Sequence, residues 1–177
     1  MDPLQIVIVA VIAAAALFAV LAPRLRSHRL RARFGPEYDR TVLVHEGDVR
    51  AAEHDLTDRL ALRRRVKTVP VEAADRDRYL AELRGLQALF VEDPRQSAVR
   101  TARLLDSLLT DMGYPGEGRP EVLSVDHAAR LPAYRDARRA LDNPGADSEE
   151  LRCSVIAVRD LIVELLHEER TGALARH

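Results

Sequence analysis

The apolar and polar positions fall into three regimes along the chain. Ile6 to Ala22 runs for 17 residues without a polar side chain. From about residue 49 onward, apolar side chains recur every three or four positions, the period of one face of an α-helix. Between the two lies a highly charged stretch. No segment alternates with the two-residue period of a strand; Val69–Val71 and Val122–Val125 are too short to build a sheet. The pattern predicts an all-α protein: an N-terminal transmembrane helix (1–23), a basic juxtamembrane segment with a charged helical neck (24–70), and a C-terminal antiparallel helical bundle (71–177).

The helices follow from their stripes. Val49, Ala52, Leu56 and Leu60 predict a solvated helix with one narrow apolar stripe over Val49–Arg65. The basic run Arg63–Lys67 sits where a helix C-terminus favours cations. Thr68-Val69-Pro70 reads as an extended linker. Tyr79, Leu83, Leu86 and Phe90 share one face of a helix from about Ala73 to Val91. Asp93 is placed to cap the next helix, with Pro94 at its first position and Gln96 where a capping box wants Glu or Gln. That helix carries Ala98, Ala102, Leu105, Leu108, Leu109 and Met112 and stops at Gly113. The short connection makes these two helices antiparallel neighbours. Tyr114–Val122, with two glycines and two prolines, reads as a loop. Ser124 is a cap candidate for a helix bearing Ala128, Leu131, Tyr134, Ala137 and Leu141, which Pro132 must kink or split. Asp147 or Ser148 caps a last helix with the stripe Leu151, Val155, Val158, Ile162 and Leu165, flanked by Leu161 and Leu166.

As a helix, Pro3–Ala22 would measure about 30 Å, the thickness of a bilayer core. Ten residues of the apolar run are Ile, Val, Leu or Phe, which together favour insertion by several kcal/mol. A cleavable signal peptide fits less well, because Met1–Gln5 carries only Asp2 and the best cleavage site precedes Pro23. Arg24, Arg26, Arg29, Arg31 and Arg33 follow, with no acid before Glu37. Positive flanks stay cytoplasmic, so the expected topology is single-pass in the cell membrane, N-terminus outside and C-terminal domain inside. These arginines, with Phe34 and Tyr38 around the Gly35-Pro36 break, are the candidate membrane-surface contacts, expected to be exposed at the interface. Ala10/Ala14 and Ala15/Ala19 form small-xxx-small pairs that allow an oligomer.

Charge adds a division. The chain has net charge −1, but 24–67 carries 12 basic and 7 acidic residues and 68–177 carries 15 and 20. A basic neck beneath an acidic domain would hold that domain off an anionic bilayer. The balance excludes a uniformly basic nucleic-acid binder, and no nucleic-acid partner is expected. Chemistry is sparse. One cysteine, Cys153, cannot make an internal disulfide and falls beside the apolar stripe of the last helix as a small core residue. Glu164-Leu165-Leu166-His167 has the Glu-x-x-His spacing of di-iron bundles but lacks a second such pair. His127 lies beside Asp126 in what reads as a helix first turn, a surface position. No cofactor, metal or catalytic constellation is expected. The leading reading is a non-enzymatic protein-interaction module with a protein partner at the cytoplasmic membrane face. The alternatives are an enzymatic or small-molecule-binding bundle with a pocket among Tyr79, Tyr134 and His127, or an exported, envelope-facing protein.

Four stretches carry a resemblance: RFGPEYDRTV (Arg33–Val42), RYLAELRGLQALFVEDP (Arg78–Pro94), MGYP (Met112–Pro115) and LSVDHAARLPAYR (Leu123–Arg135). In these the chain resembles a group of small single-pass bacterial proteins, mostly actinobacterial, known as hypothetical, membrane or secreted proteins. It departs from that pattern at Leu83, where the group has Trp, and at Ala128, where the group has Pro directly after Ser-Val-Asp-His. The resemblance implies a shared fold and carries over no catalytic residue.

Overall fold

The computed structural model describes residues 17–18 and 24–174, with side chains to His167. Among the described residues every regular element is a helix. The apolar run 6–22 lies outside them apart from Leu17 and Phe18. Among the described residues no helix is long and apolar enough to cross a membrane. The chain forms two compact units, 1–57 and 58–177, which divide within one continuous helix.

In the first unit, residues 24–34 are helical (α1) and Gly35 ends the run. Pro36, at the first position of α2 (Pro36–Val44), starts a new helix where its missing N–H costs nothing. A tight turn at 45–48 leads to α3 (Val49–Arg65), whose bounds match the stripe read from the sequence. Asp48 caps it, its carboxylate accepting from the amides of Arg50 and Ala51. Ala52 and Leu56 of the stripe are fully buried, while Val49 is exposed.

The second unit is a helical bundle. Leu62 and Val66, at and just past the end of α3, pack on its core. The chain then passes Val69, whose N–H donates to Met112 O at 2.9 Å, into α4 (Ala73–Leu89). α5 (Pro94–Asp111) begins as the sequence requires: Asp93 accepts from the Gln96 amide, and Pro94 opens the helix. Two hydrogen bonds fix α4 and α5 as antiparallel. Tyr79, early in α4, donates to Asp111 at the end of α5 (2.6 Å), and Ser97, early in α5, donates to Leu86 O late in α4 (2.7 Å).

Residues 114–122 are not all loop. The helix α6 (Arg119–Asp126) starts after Gly118, which holds φ +68, with Pro120 in its first turn. Ser124 therefore caps nothing: it lies inside α6 and donates to Glu121 O. Pro132 does not kink a helix either, because α7 (Leu131–Asp142) begins beside it. The last helix, α8 (Ser148–Leu174), opens with a reciprocal box. Asp147 accepts from the Glu150 amide, and Glu150 accepts from the Asp147 amide. The core is built from Tyr79 and Leu83 of α4, Leu105 and Leu108 of α5, Leu123 of α6, Leu131 of α7 and the α8 stripe through Leu166. α8 packs against α4, α5 and α7, so its apolar face is covered from several sides.

Candidate functional site

Three places in the second unit combine charge or reactivity with access. The first is an ionic cluster joining α6, α7 and α8. The α6 helix ends at His127, whose side chain is only 4% exposed. A carboxylate can only accept, so His127 Nδ1 donates to Glu164 Oε1 at 2.9 Å. Arg130 Nε donates to the other oxygen, Oε2, at 2.7 Å and lies 3.7 Å from Asp160. Burial pushes the Glu164 carboxyl up, but the two hydrogen bonds outweigh it and hold its pKa below the ordinary value. The pKa of Arg130 is raised by its own bond to Glu164. Asp126, the neighbour of His127 in sequence, turns instead to Arg63, which also donates to Val66 O. The expected surface position for His127 is thus corrected: the helix here ends rather than begins, and its terminal side chain points inward.

The second place is a groove of about 540 Å³ between α7 and α8, floored by Ala137, Ala140 and Ala157 and bordered by Asp136, Glu150 and Cys153. Cys153 is exposed, contrary to the core position expected of it. Its register puts it beside the stripe rather than in it, with Sγ 3.6 Å from Glu149 Oε1. Arg152 holds Glu149 through two hydrogen bonds and lowers its pKa.

The third is a trough of about 580 Å³ between α4 and α5. Arg78, Glu82, Gly85 and Leu89 line one wall, and Arg100, Arg103 and Ser107 the other. Tyr79 and Leu86 close its floor. The Arg78 guanidinium lies over the Tyr79 ring at 4.7 Å and binds Asp75 at 3.0 Å. Burial, together with the bond to Asp111, pushes the Tyr79 hydroxyl up to about 12.

The residues singled out from the sequence are spread widely. Arg24, Arg26, Arg29, Arg31 and Arg33 are all exposed on α1. Arg26 reaches Thr57 Oγ1 at 2.9 Å, and Arg31 lies over the Tyr38 ring at 4.8 Å. Phe34 and Tyr38 are buried rather than exposed as expected: they are 0% and 1% exposed, and the Tyr38 hydroxyl donates to Glu53 at 2.9 Å. Aromatic rings beside a helix break can serve an interior as well as a lipid surface, and here they serve the interior. Tyr79, Tyr134 and His127 do not face one another's polar groups. Tyr79 binds Asp111, Tyr134 lies under Arg138 at 5.9 Å, and His127 binds Glu164. Among the described residues no group of three or more His, Cys, Asp or Glu side chains could hold a metal ion. Sequence reasoning missed the α4–α5 trough and the partnership of His127 with Glu164; Gly85, a glycine inside a helix, is a sequence signal that could have pointed to the trough. Comparison with families, curated proteins and solved structures finds no match to this chain.

Proposed function

We propose that this chain is a single-pass membrane protein that holds a non-enzymatic, helical protein-interaction module at the cytoplasmic face, as in the small actinobacterial group it resembles. One observation carries the reading: 17 uninterrupted apolar residues followed within 11 positions by five arginines, without an intervening acid. Those arginines are exposed, as a headgroup contact requires, and each near an anionic surface adds about 1 kcal/mol. With Phe34 and Tyr38 buried, the surface contact in this reading is electrostatic rather than aromatic. The acidic excess over 68–177 favours a module held away from the lipid and free to meet a protein.

A topology reporter fused after His177, active in one compartment only, tests this. A cytoplasmic signal from a membrane fraction that resists carbonate extraction is the expected result. An extracytoplasmic signal, or release of the chain by carbonate, overturns it.

A further inference from the structure

We propose that the trough between α4 and α5 is the docking site for an acidic amphipathic helix of a protein partner. This deepens the interaction-module reading and rests on it. Residues 68–177 carry an excess of acids, and most arginines there are engaged: Arg78 with Asp75, Arg119 and Arg138 with Asp106, Arg130 with Glu164, Arg152 with Glu149. Arg100 and Arg103 differ. One turn apart on α5 and exposed, they make no hydrogen bond or ion pair among the described residues. Two unpaired cations on one wall of an apolar-floored trough are a complement for carboxylates.

Gly85 supplies the second observation. A glycine inside a helix costs about 1 kcal/mol relative to alanine. A Cβ at Gly85 would meet nothing within 4 Å, so packing within the chain does not require its absence. It lines the trough, and its missing side chain leaves the α4 backbone open to close approach.

Shape selects a helix over a small anion. The trough continues into a second hollow, of about 450 Å³, that shares Arg100 and Arg103 and extends to Asp93 and Gln96. From Gln96 to Ser107 the combined surface follows α5 for about 16 Å, three helical turns. An incoming helix with carboxylates at i and i+3 or i+4 would meet both arginines, lay an apolar face on Leu86 and Leu89, and pass closest at Gly85.

The test uses the full chain in nanodiscs and two labelled synthetic helical peptides of about four turns. Both carry a leucine stripe; one is flanked by glutamates and the other by lysines. Fluorescence anisotropy is expected to show binding of the acidic peptide only, weakening with salt. Arg100→Glu with Arg103→Glu is expected to raise its Kd about tenfold or more and to admit the basic peptide. Gly85→Met is expected to block binding while leaving the melting temperature unchanged or higher, since it fills open space and removes a helical glycine. No acidic-peptide binding at millimolar concentration, or binding indifferent to both variants, overturns the proposal. So does displacement by inorganic phosphate with the same sensitivity to Arg100 and Arg103, which would make the trough a small-anion site. Lost peptide binding with a cytoplasmic reporter removes the trough and leaves the tethered module. Peptide binding with an extracytoplasmic reporter keeps the trough and removes the compartment.

Discussion

His127 and Glu164 stand 37 positions apart in the chain and share a 2.9 Å hydrogen bond that ties the end of α6 to α8. Glu164 also receives Arg130, so one carboxylate links three helices. Glu164→Gln leaves the shape and removes the charge from both bonds, and the expected loss is about 1–3 kcal/mol of stability. The pH dependence has a definite sign. The folded-state pKa of Glu164 lies below its ordinary 4.5. Its contribution is therefore present above pH 4.5 and lost as pH falls through the lower folded value. Urea unfolding of the purified chain between pH 3 and 7 should show wild type losing more stability on acidification than Glu164→Gln.

The Tyr79 hydroxyl titrates at about 12 rather than 10.0 in the folded chain. Raised pKa means the folded state holds the proton more tightly. The stabilisation is present below pH 10 and lost as pH rises towards 12. Tyr79→Phe leaves the Asp111 carboxylate without that donor, and about 1 kcal/mol of stability should go with it. Ultraviolet titration at 295 nm should show one tyrosinate fewer at the alkaline end of the curve in this variant.

Gly113 follows α5 at φ +82, and a Cβ there would lie 2.8 Å from Lys67 O. Both the backbone angle and the contact oppose a side chain, and the contacted atom is backbone that cannot swing away. Gly113→Ala should cost about 1–3 kcal/mol. Gly116→Ala meets nothing within 4 Å and should change stability by less than about 1 kcal/mol. Thermal melts of the two variants side by side make the comparison.

At the start of α8, Asp147→Ala removes one half of the reciprocal box with Glu150 and should cost about 1 kcal/mol. Glu150→Ala removes the other half. Because the two bonds close one ring of contacts, the double variant should cost less than the sum of the singles, as a double-mutant cycle would register.

Periodicity and caps made much of the bundle legible. The stripes of α3, α5 and α8 and the cap at Asp93 are local features, written in residues within one or two turns. α6 stayed hidden because its start is built from Gly118 in a left-handed conformation and Pro120, both of which read as loop. Misplacing that start shifted Ser124 and His127 from the far end of one helix to the near end of another. Phe34 and Tyr38 were recognisable as paired aromatics, but whether such rings face lipid or an interior depends on elements distant in sequence. The same holds for His127 and Glu164, whose pairing needs α8 to return past α6, and for Cys153, which a small change of register moves from core to surface.

The clasp between Val69 N–H and Met112 O has a mechanical consequence. A pull transmitted along the backbone through Arg65 reaches this clasp before it reaches α4. The load is handed first to the end of α5, next to the deeply buried Leu108 and Leu109. Force arriving from the N-terminal side is thereby set against the end of α5 before α4 can peel away, so the first helix of the bundle is not the first to bear load.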